Sequence, residues 1–170
     1  MRIAILTVSD RSAQGERPDS SGPLIAEIVQ QTIEGTRLVE QAIVPDERNA
    51  ISAHLIAWSD SGKVDVIFTT GGTGFAPRDV TPEATRLVLD REAPGMAEAM
   101  RAASLQKTPH AMLSRAVCGI RGRTLIINLP GSPKAVRENL EVVLPVLPHA
   151  VQLLHNAPDA EAGHTAHSTA

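Results

Sequence analysis

Short apolar runs alternate along this chain with longer amphipathic stretches. Ile3-Ala4-Ile5-Leu6-Thr7-Val8 is an almost unbroken apolar run of strand length, the pattern of a strand covered on both faces. The polar loop Ser9-Asp10-Arg11-Ser12-Ala13-Gln14-Gly15 follows. Leu24, Ile25, Ile28, Val29 and Ile33 then recur at helical spacing, with Ser21 as N-cap, Pro23 near the start and Gly35 past the end. Arg37 to Val44 reads as a second strand, weakened by its charges and broken by Pro45-Asp46-Glu47. Ile51, Leu55, Ile56 and Trp58 mark a second helix that closes near Ser61-Gly62, and Val64 to Phe68 is a third strand. A third helix is expected over Thr81 to Asp90, and a fourth over Met96 to Leu105 after Pro94-Gly95. Ala116 to Ile120 and Arg123 to Leu129 read as two strands, joined around Arg121-Gly122 as a possible hairpin. Helices from Lys134 to Val143 and from Leu147 to Leu154 complete the pattern.

Strands alternating with helices predict an α/β fold, a three-layer sandwich with a mostly parallel sheet flanked by helices. In such sheets ligands bind beyond the carboxyl ends of the strands. Those ends carry Ser9-Asp10-Arg11, Pro45-Asp46-Glu47, Gly71-Gly72-Thr73-Gly74 and Pro130-Gly131-Ser132. Four polar or glycine-rich segments are therefore expected along one edge of the sheet. From Asn156 onward apolar bulk disappears, so 1–155 is expected to be the domain and 156–170 a disordered tail.

Composition narrows the function classes. Aromatic residues are 2% of the 170, with no Tyr, two Phe and one Trp, so the core must be aliphatic and base-stacking platforms are disfavoured. The net charge of −3 supplies no basic field for nucleic acid or an anionic membrane. The single cysteine, Cys118, has no intrachain partner and reads as a small buried hydrophobe. The N-terminal apolar run is too short for a signal peptide, and no stretch reaches transmembrane length. A cytoplasmic protein is expected.

The richest chemistry lies in Thr69-Thr70-Gly71-Gly72-Thr73-Gly74-Phe75-Ala76-Pro77-Arg78-Asp79-Val80-Thr81-Pro82-Glu83-Ala84. Three glycines in four positions allow a sharp turn with exposed backbone N–H groups, suited to phosphate. It is not a Walker A loop, because no Lys-Ser/Thr pair closes it. Thr81-Pro82-Glu83 has the form of an N-cap, a first-turn proline and a first-turn carboxylate. With Thr81 capping, Asp79 is left for function, and Asp46 is the second candidate carboxylate; together they suit Mg²⁺ beside phosphates. The structural alternatives are a turn residue for Asp46 and a backbone cap for Asp79. Pro130-Gly131-Ser132-Pro133-Lys134 is a second anion-type loop at a helix start; its alternative is a turn with Ser132 as N-cap and a solvated lysine. Arg11, Arg78 and Arg115 are candidates for phosphate pairing or for surface ion pairs. The histidines show no metal spacing outside His164-x-x-His167 in the tail, and Met96 with Met100 reads as core.

These segments, with Pro94-Gly95-Met96-Ala97-Glu98 and Thr108-Pro109-His110-Ala111-Met112-Leu113-Ser114-Arg115, closely resemble the Mog/MoaB family of molybdenum-cofactor biosynthesis proteins, from about Arg2 to His155. The resemblance implies a trimer, or a dimer of trimers, that adenylates molybdopterin with ATP and Mg²⁺ and releases pyrophosphate. It implies catalytic and metal-holding roles for Asp46 and Asp79. It implies a pterin and nucleotide pocket lined by Gly71, Gly72, Thr73, Gly74, Pro130, Gly131, Ser132 and Lys134, to which the strand ends add Ser9, Asp10 and Thr70. Partners would be molybdopterin, ATP and other proteins of the same pathway. Two alternatives stay open: a molybdopterin-binding protein without catalysis, and a nucleotide pyrophosphatase of the competence-damage type.

Overall fold

The computed structural model describes residues 1–156; the expected tail beyond Asn156 lies outside the described residues. Six strands form one sheet: β1 (Arg2–Val8), β2 (Arg37–Val44), β3 (Val66–Thr70), β4 (Arg91–Glu92), β5 (Cys118–Arg121) and β6 (Thr124–Leu129), in the order β2-β1-β3-β6-β5-β4. The first four in that order are mutually parallel, while β5 runs antiparallel to β6 and β4 to β5. The helices are α1 (Asp10–Ala13), α2 (Ser21–Thr32), α3 (Arg48–Asp60), α4 (Thr81–Arg86), α5 (Pro94–Leu105), α6 (Pro133–Val143) and α7 (Leu147–Leu154), with 3₁₀ turns over Pro109–Leu113 and Leu144–Val146.

The alternation of side chains along β1 divides the core. Ile3 and Ile5 pack with Ile25 and Val29 of α2, Met100 of α5 and Val136 and Leu140 of α6. Ala4, Leu6 and Val8 face the other way, against Ile51, Leu55 and Trp58 of α3 and Ala84 of α4. This is the expected three-layer arrangement, and every residue of β3 and β6 is buried. Apart from the half-buried Arg2, β1 is buried as well. β2 is an edge strand, which accounts for the charges that weaken its pattern. Cys118 is 1% exposed, the buried hydrophobe its neighbours suggested.

Several elements depart from the pattern. The loop after β1 winds one helical turn, α1, because the Ser9 hydroxyl accepts from the Ser12 N–H at 3.2 Å. The third helix ends at Arg86, and the chain then forms β4, whose two residues are too few to show a period. Asp90 N–H donates to the Ile120 carbonyl and Ala93 N–H to that of Cys118, which holds β4 in place. β3 continues through Thr69 and Thr70, two residues further than its apolar run. Ser20, not Ser21, precedes α2, and the Asp19 carboxylate does the capping, accepting from Ser21 and Gly22 N–H at 3.0 Å each.

Candidate active site at the carboxyl edge of the sheet

The four parallel strands end side by side, and hydrogen bonds tie their loops together. From β1 and β2, Asp10 N–H donates to Asp46 Oδ2 at 2.8 Å and Asp46 N–H donates to Asp10 Oδ1 at 3.0 Å. Ser9 N–H donates to the Val44 carbonyl at 2.9 Å, so Ser9 anchors this corner while its hydroxyl caps α1. From β3 and β6, the Thr70 hydroxyl donates to the Pro130 carbonyl at 2.8 Å, and Gly71 N–H to the Leu129 carbonyl at 3.3 Å. The Ser21 hydroxyl donates to the Gly131 carbonyl at 2.9 Å, bringing the start of α2 into the same edge.

The glycine turn is tightly held. Gly71 has φ of +99°, and a Cβ there would collide with the Val8 carbonyl oxygen. Gly72 has φ of +63°, and a Cβ there would run into the Thr81 hydroxyl and come within 3.0 Å of Asp46 Oδ1. Only glycine fits both the backbone and the space at these two positions. Thr81 is not the N-cap expected; Val80 precedes α4, and Thr81 is its first residue. Its hydroxyl donates to the Gly71 carbonyl at 2.9 Å and its N–H to that of Gly72 at 3.1 Å, so Thr81 pins the turn instead. Thr73 is buried and Gly74 half-buried beyond it.

The carboxylates sit on either side of this turn. Burial pushes the Asp46 carboxyl above its ordinary value, and the charges of Asp10 and Asp79 push it further. Arg78 works the other way on Asp10: it donates from Nε and Nη2 at 3.0 and 2.8 Å and holds that carboxyl below its ordinary value. Arg78 also pairs with Glu47 at 2.8 Å, so it neutralises protein carboxylates rather than standing free for phosphate. Asp79 Oδ2 accepts from Ala76 N–H at 2.9 Å, which is the capping role weighed against function; Oδ1 has no donor among the described residues. Asp46 Oδ1 likewise has none and faces the glycine turn. Two hard oxygen donors of this kind suit Mg²⁺ completed by phosphate and water. No cluster of three or more His, Cys, Asp or Glu side chains poised for a metal occurs among the described residues.

At the other end, Ser132 caps α6 by accepting from Ala135 N–H at 3.2 Å. Pro133 opens the helix, and Lys134 is exposed in its first turn. Between α5, the Pro109–Leu113 turn and α6 lies a cavity of about 280 Å³ that reaches Thr73, Gly74 and Pro130. Arg101, Ser104, His110, Glu138 and Asn139 line it. The sequence does not single out these lining residues, because each sits in an amphipathic helix or a turn where polarity alone signals solvent.

The family model described as a probable molybdopterin binding domain matches residues 4–149. The chain belongs to this family. Among members of the molybdopterin-binding family, the molybdopterin adenylyltransferase of Helicobacter pylori strain J99 is 45% identical over 154 residues, covering 91% of this chain and 88% of its own. The chain spans only about a quarter of the Drosophila melanogaster molybdenum cofactor synthesis protein cinnamon, at 47% identity over 152 residues. The crystal structure of the molybdopterin biosynthesis enzyme MoaB from Thermus thermophilus superposes with a TM-score of 0.83 at 54% identity, covering 91% of this chain and 96% of that one. CinA of Thermoplasma acidophilum, at 15% identity and a TM-score of 0.67, shares the fold alone. No helix among the described residues is long and apolar enough to cross a membrane.

Proposed function

We propose that this chain is a molybdopterin adenylyltransferase, which transfers AMP from ATP to molybdopterin. The observation that carries the reading is the interlocked edge of the sheet. Asp46 and Asp79 flank a glycine turn, and each offers one oxygen with no donor among the described residues. The names of the bacterial relatives, and the identity over most of the chain, support the same activity.

The terminal phosphate of molybdopterin attacks the α-phosphorus of ATP; a P–O bond forms, the α–β bridge breaks, and pyrophosphate leaves. Such a transfer needs positioning and charge neutralisation rather than a protein nucleophile. The backbone N–H groups of Gly72, Thr73 and Gly74 and the amino end of α6 receive phosphate oxygens, while the Gly71 N–H stays on the Leu129 carbonyl and Lys134 adds a cation. Ser9, Asp10, Thr70, Pro130, Gly131 and Ser132 hold the loops at the separation the substrates require. The cavity beside Thr73 and Gly74 accommodates the heterocycle of one substrate. Asp46 and Asp79 are the residues that would hold Mg²⁺, which supplies neutralisation of the phosphate charge. We assign the pterin-binding unit to residues 1–155, the assembly to a trimer or dimer of trimers, and the site of action to the cytoplasm.

The test is pyrophosphate release from molybdopterin, ATP and Mg²⁺. Release by the wild type should exceed that of Asp79→Asn by about 100-fold or more and should vanish with chelator. Equal release by the two would overturn the proposal. Pterin binding without pyrophosphate release would favour a binding protein, and ADP-ribose hydrolysis without pterin would favour a pyrophosphatase.

A further inference from the structure

Residues 74–79 leave the sheet edge as a loop that projects into solvent, with Phe75 66% exposed. Asp79 stands where this loop returns, so its placement depends on what holds the two ends of the loop together. Thr81 ties the outer flanks through Gly71 and Gly72, and a second side chain ties the loop ends themselves. Arg115 follows the 3₁₀ turn at Pro109–Leu113, and its backbone N–H donates to the Thr73 carbonyl at 2.9 Å. Its Nε donates to the Gly74 carbonyl at 2.6 Å, its Nη2 to the Asp79 carbonyl at 2.5 Å, and its Nη1 pairs with the Glu83 carboxylate.

The departing and returning ends of the loop are thus joined through one planar group. Glu83, in the first turn of α4, orients that plane. Burial pushes the Glu83 carboxyl up, but its own backbone N–H and the Arg115 guanidinium hold it below its ordinary value, so Glu83 is ionised. Each guanidinium nitrogen is engaged with the protein, which leaves Arg115 committed to the loop and not to a phosphate.

We propose that Arg115 is a positioning residue for adenylation: it sets the Asp79 carboxylate by clamping both ends of loop 74–79 and does not touch substrate. The inference rests on the adenylyltransferase reading above. Lysine keeps the charge, but its single ammonium cannot serve two carbonyls and a carboxylate in one plane. A displacement of about 1 Å at a reacting centre costs on the order of 100-fold in rate.

The experiment compares Arg115→Lys and Glu83→Gln, each alone and in the Asp79→Asn background. Steady-state kinetics, thermal melting and amide hydrogen exchange of residues 71–84 are read for every variant. Arg115→Lys should lower kcat about 100-fold while KM for ATP and molybdopterin changes less than about threefold. In the Asp79→Asn background the same change should cost less than about threefold more, because the residue it positions is already disabled. Exchange at the Ala76 amide should accelerate in Arg115→Lys. If Arg115→Lys does not fold, Glu83→Gln carries the test, with a loss of about 10-fold that again disappears in Asp79→Asn. Equal losses in both backgrounds would overturn the proposal, as would a raised KM for ATP with kcat intact, which would make Arg115 a phosphate ligand. Unchanged exchange at Ala76 would also overturn it. A wild type that releases no pyrophosphate overturns the adenylation reading alone, since the exchange measurement still decides whether the clamp exists.

Discussion

Asp10 and Asp46 hold each other by reciprocal bonds: each backbone N–H donates to the other's carboxylate, at 2.8 and 3.0 Å. The pair joins the ends of β1 and β2 and fixes the direction in which Asp46 presents its other oxygen. Asparagine at 46 keeps an acceptor for the Asp10 N–H but removes the charge. Asp46→Asn should therefore abolish pyrophosphate release, by about 100-fold or more, with stability changed by less than about 1 kcal/mol. Asp46→Ala should lose the bond as well and cost about 1–1.5 kcal/mol. Urea unfolding beside the release assay separates the two effects.

The same pair makes opposite predictions with pH. The Asp46 carboxyl is raised above its ordinary 3.8, by burial first and then by Asp10 and Asp79. Between the unfolded and folded values the native state binds more protons, so this group's contribution to stability is present below 3.8 and falls as pH rises through the folded value. Asp10, lowered by Arg78, contributes stability that is present above 3.8 and is lost as pH falls through its folded value. Carboxyl ¹³C titration should show Asp46 above 3.8 and Asp10 below it. Asp10→Asn should bring the Asp46 midpoint down by removing a neighbouring charge, and Arg78→Gln should bring the Asp10 midpoint up.

The glycine turn should not tolerate a methyl group. At Gly71 alanine would adopt a φ of +99° and strike the Val8 carbonyl. Gly71→Ala should destabilise the protein by about 1–3 kcal/mol, read by urea unfolding, and should lower pyrophosphate release further than that loss explains. Gly62, with φ of +68° but nothing within 4 Å of a Cβ, is the control: its alanine variant should lose stability but not the active site.

Asn128 ties the sheet to α4 from within the core. It is fully buried, its Nδ2 donates to the hydroxyls of Thr69 and Thr85 at 2.9 Å each, and its Oδ1 accepts from Val117 N–H at 3.2 Å. Asn128→Ala should cost about 2–3 kcal/mol, because it leaves a buried N–H and two hydroxyls without their partner. Thermal melting checks the expectation.

Cys118 should be chemically silent. Burial pushes its thiol up to about 12, so the nucleophilic thiolate is scarce at neutral pH. Iodoacetamide should label it only when denaturant is present, as mass spectrometry would show.

Much of this protein was legible along the chain because its signals are local. An apolar run such as Ile3–Val8 has to be covered on both faces, and Ser132-Pro133 starts a helix by its own chemistry; neither needs knowledge of what lies elsewhere. The glycine turn and its neighbouring aspartates were visible for the same reason. β4 was not, since two residues become a strand only when β5 is beside them. Nor was the lining of the cavity, because Arg101 and Asn139 look like solvated helix positions until α5 and α6 are packed together.

By itself the sequence determined the layers and the polar, glycine-rich strand ends, because backbone preference and hydrophobic burial act over a few residues at a time. What each polar group does was decided only by the tertiary structure. Thr81 has the sequence form of a cap and instead pins Gly71, ten residues away. Arg78 and Arg115 look alike in sequence as candidates for phosphate or for surface ion pairs, yet one neutralises Asp10 across 68 residues and the other closes a loop across 41 and 36. Hydrogen bonds and ion pairs act at about 3 Å whatever the separation along the chain. Which partner each group finds is therefore settled only when the fold brings the strand ends together.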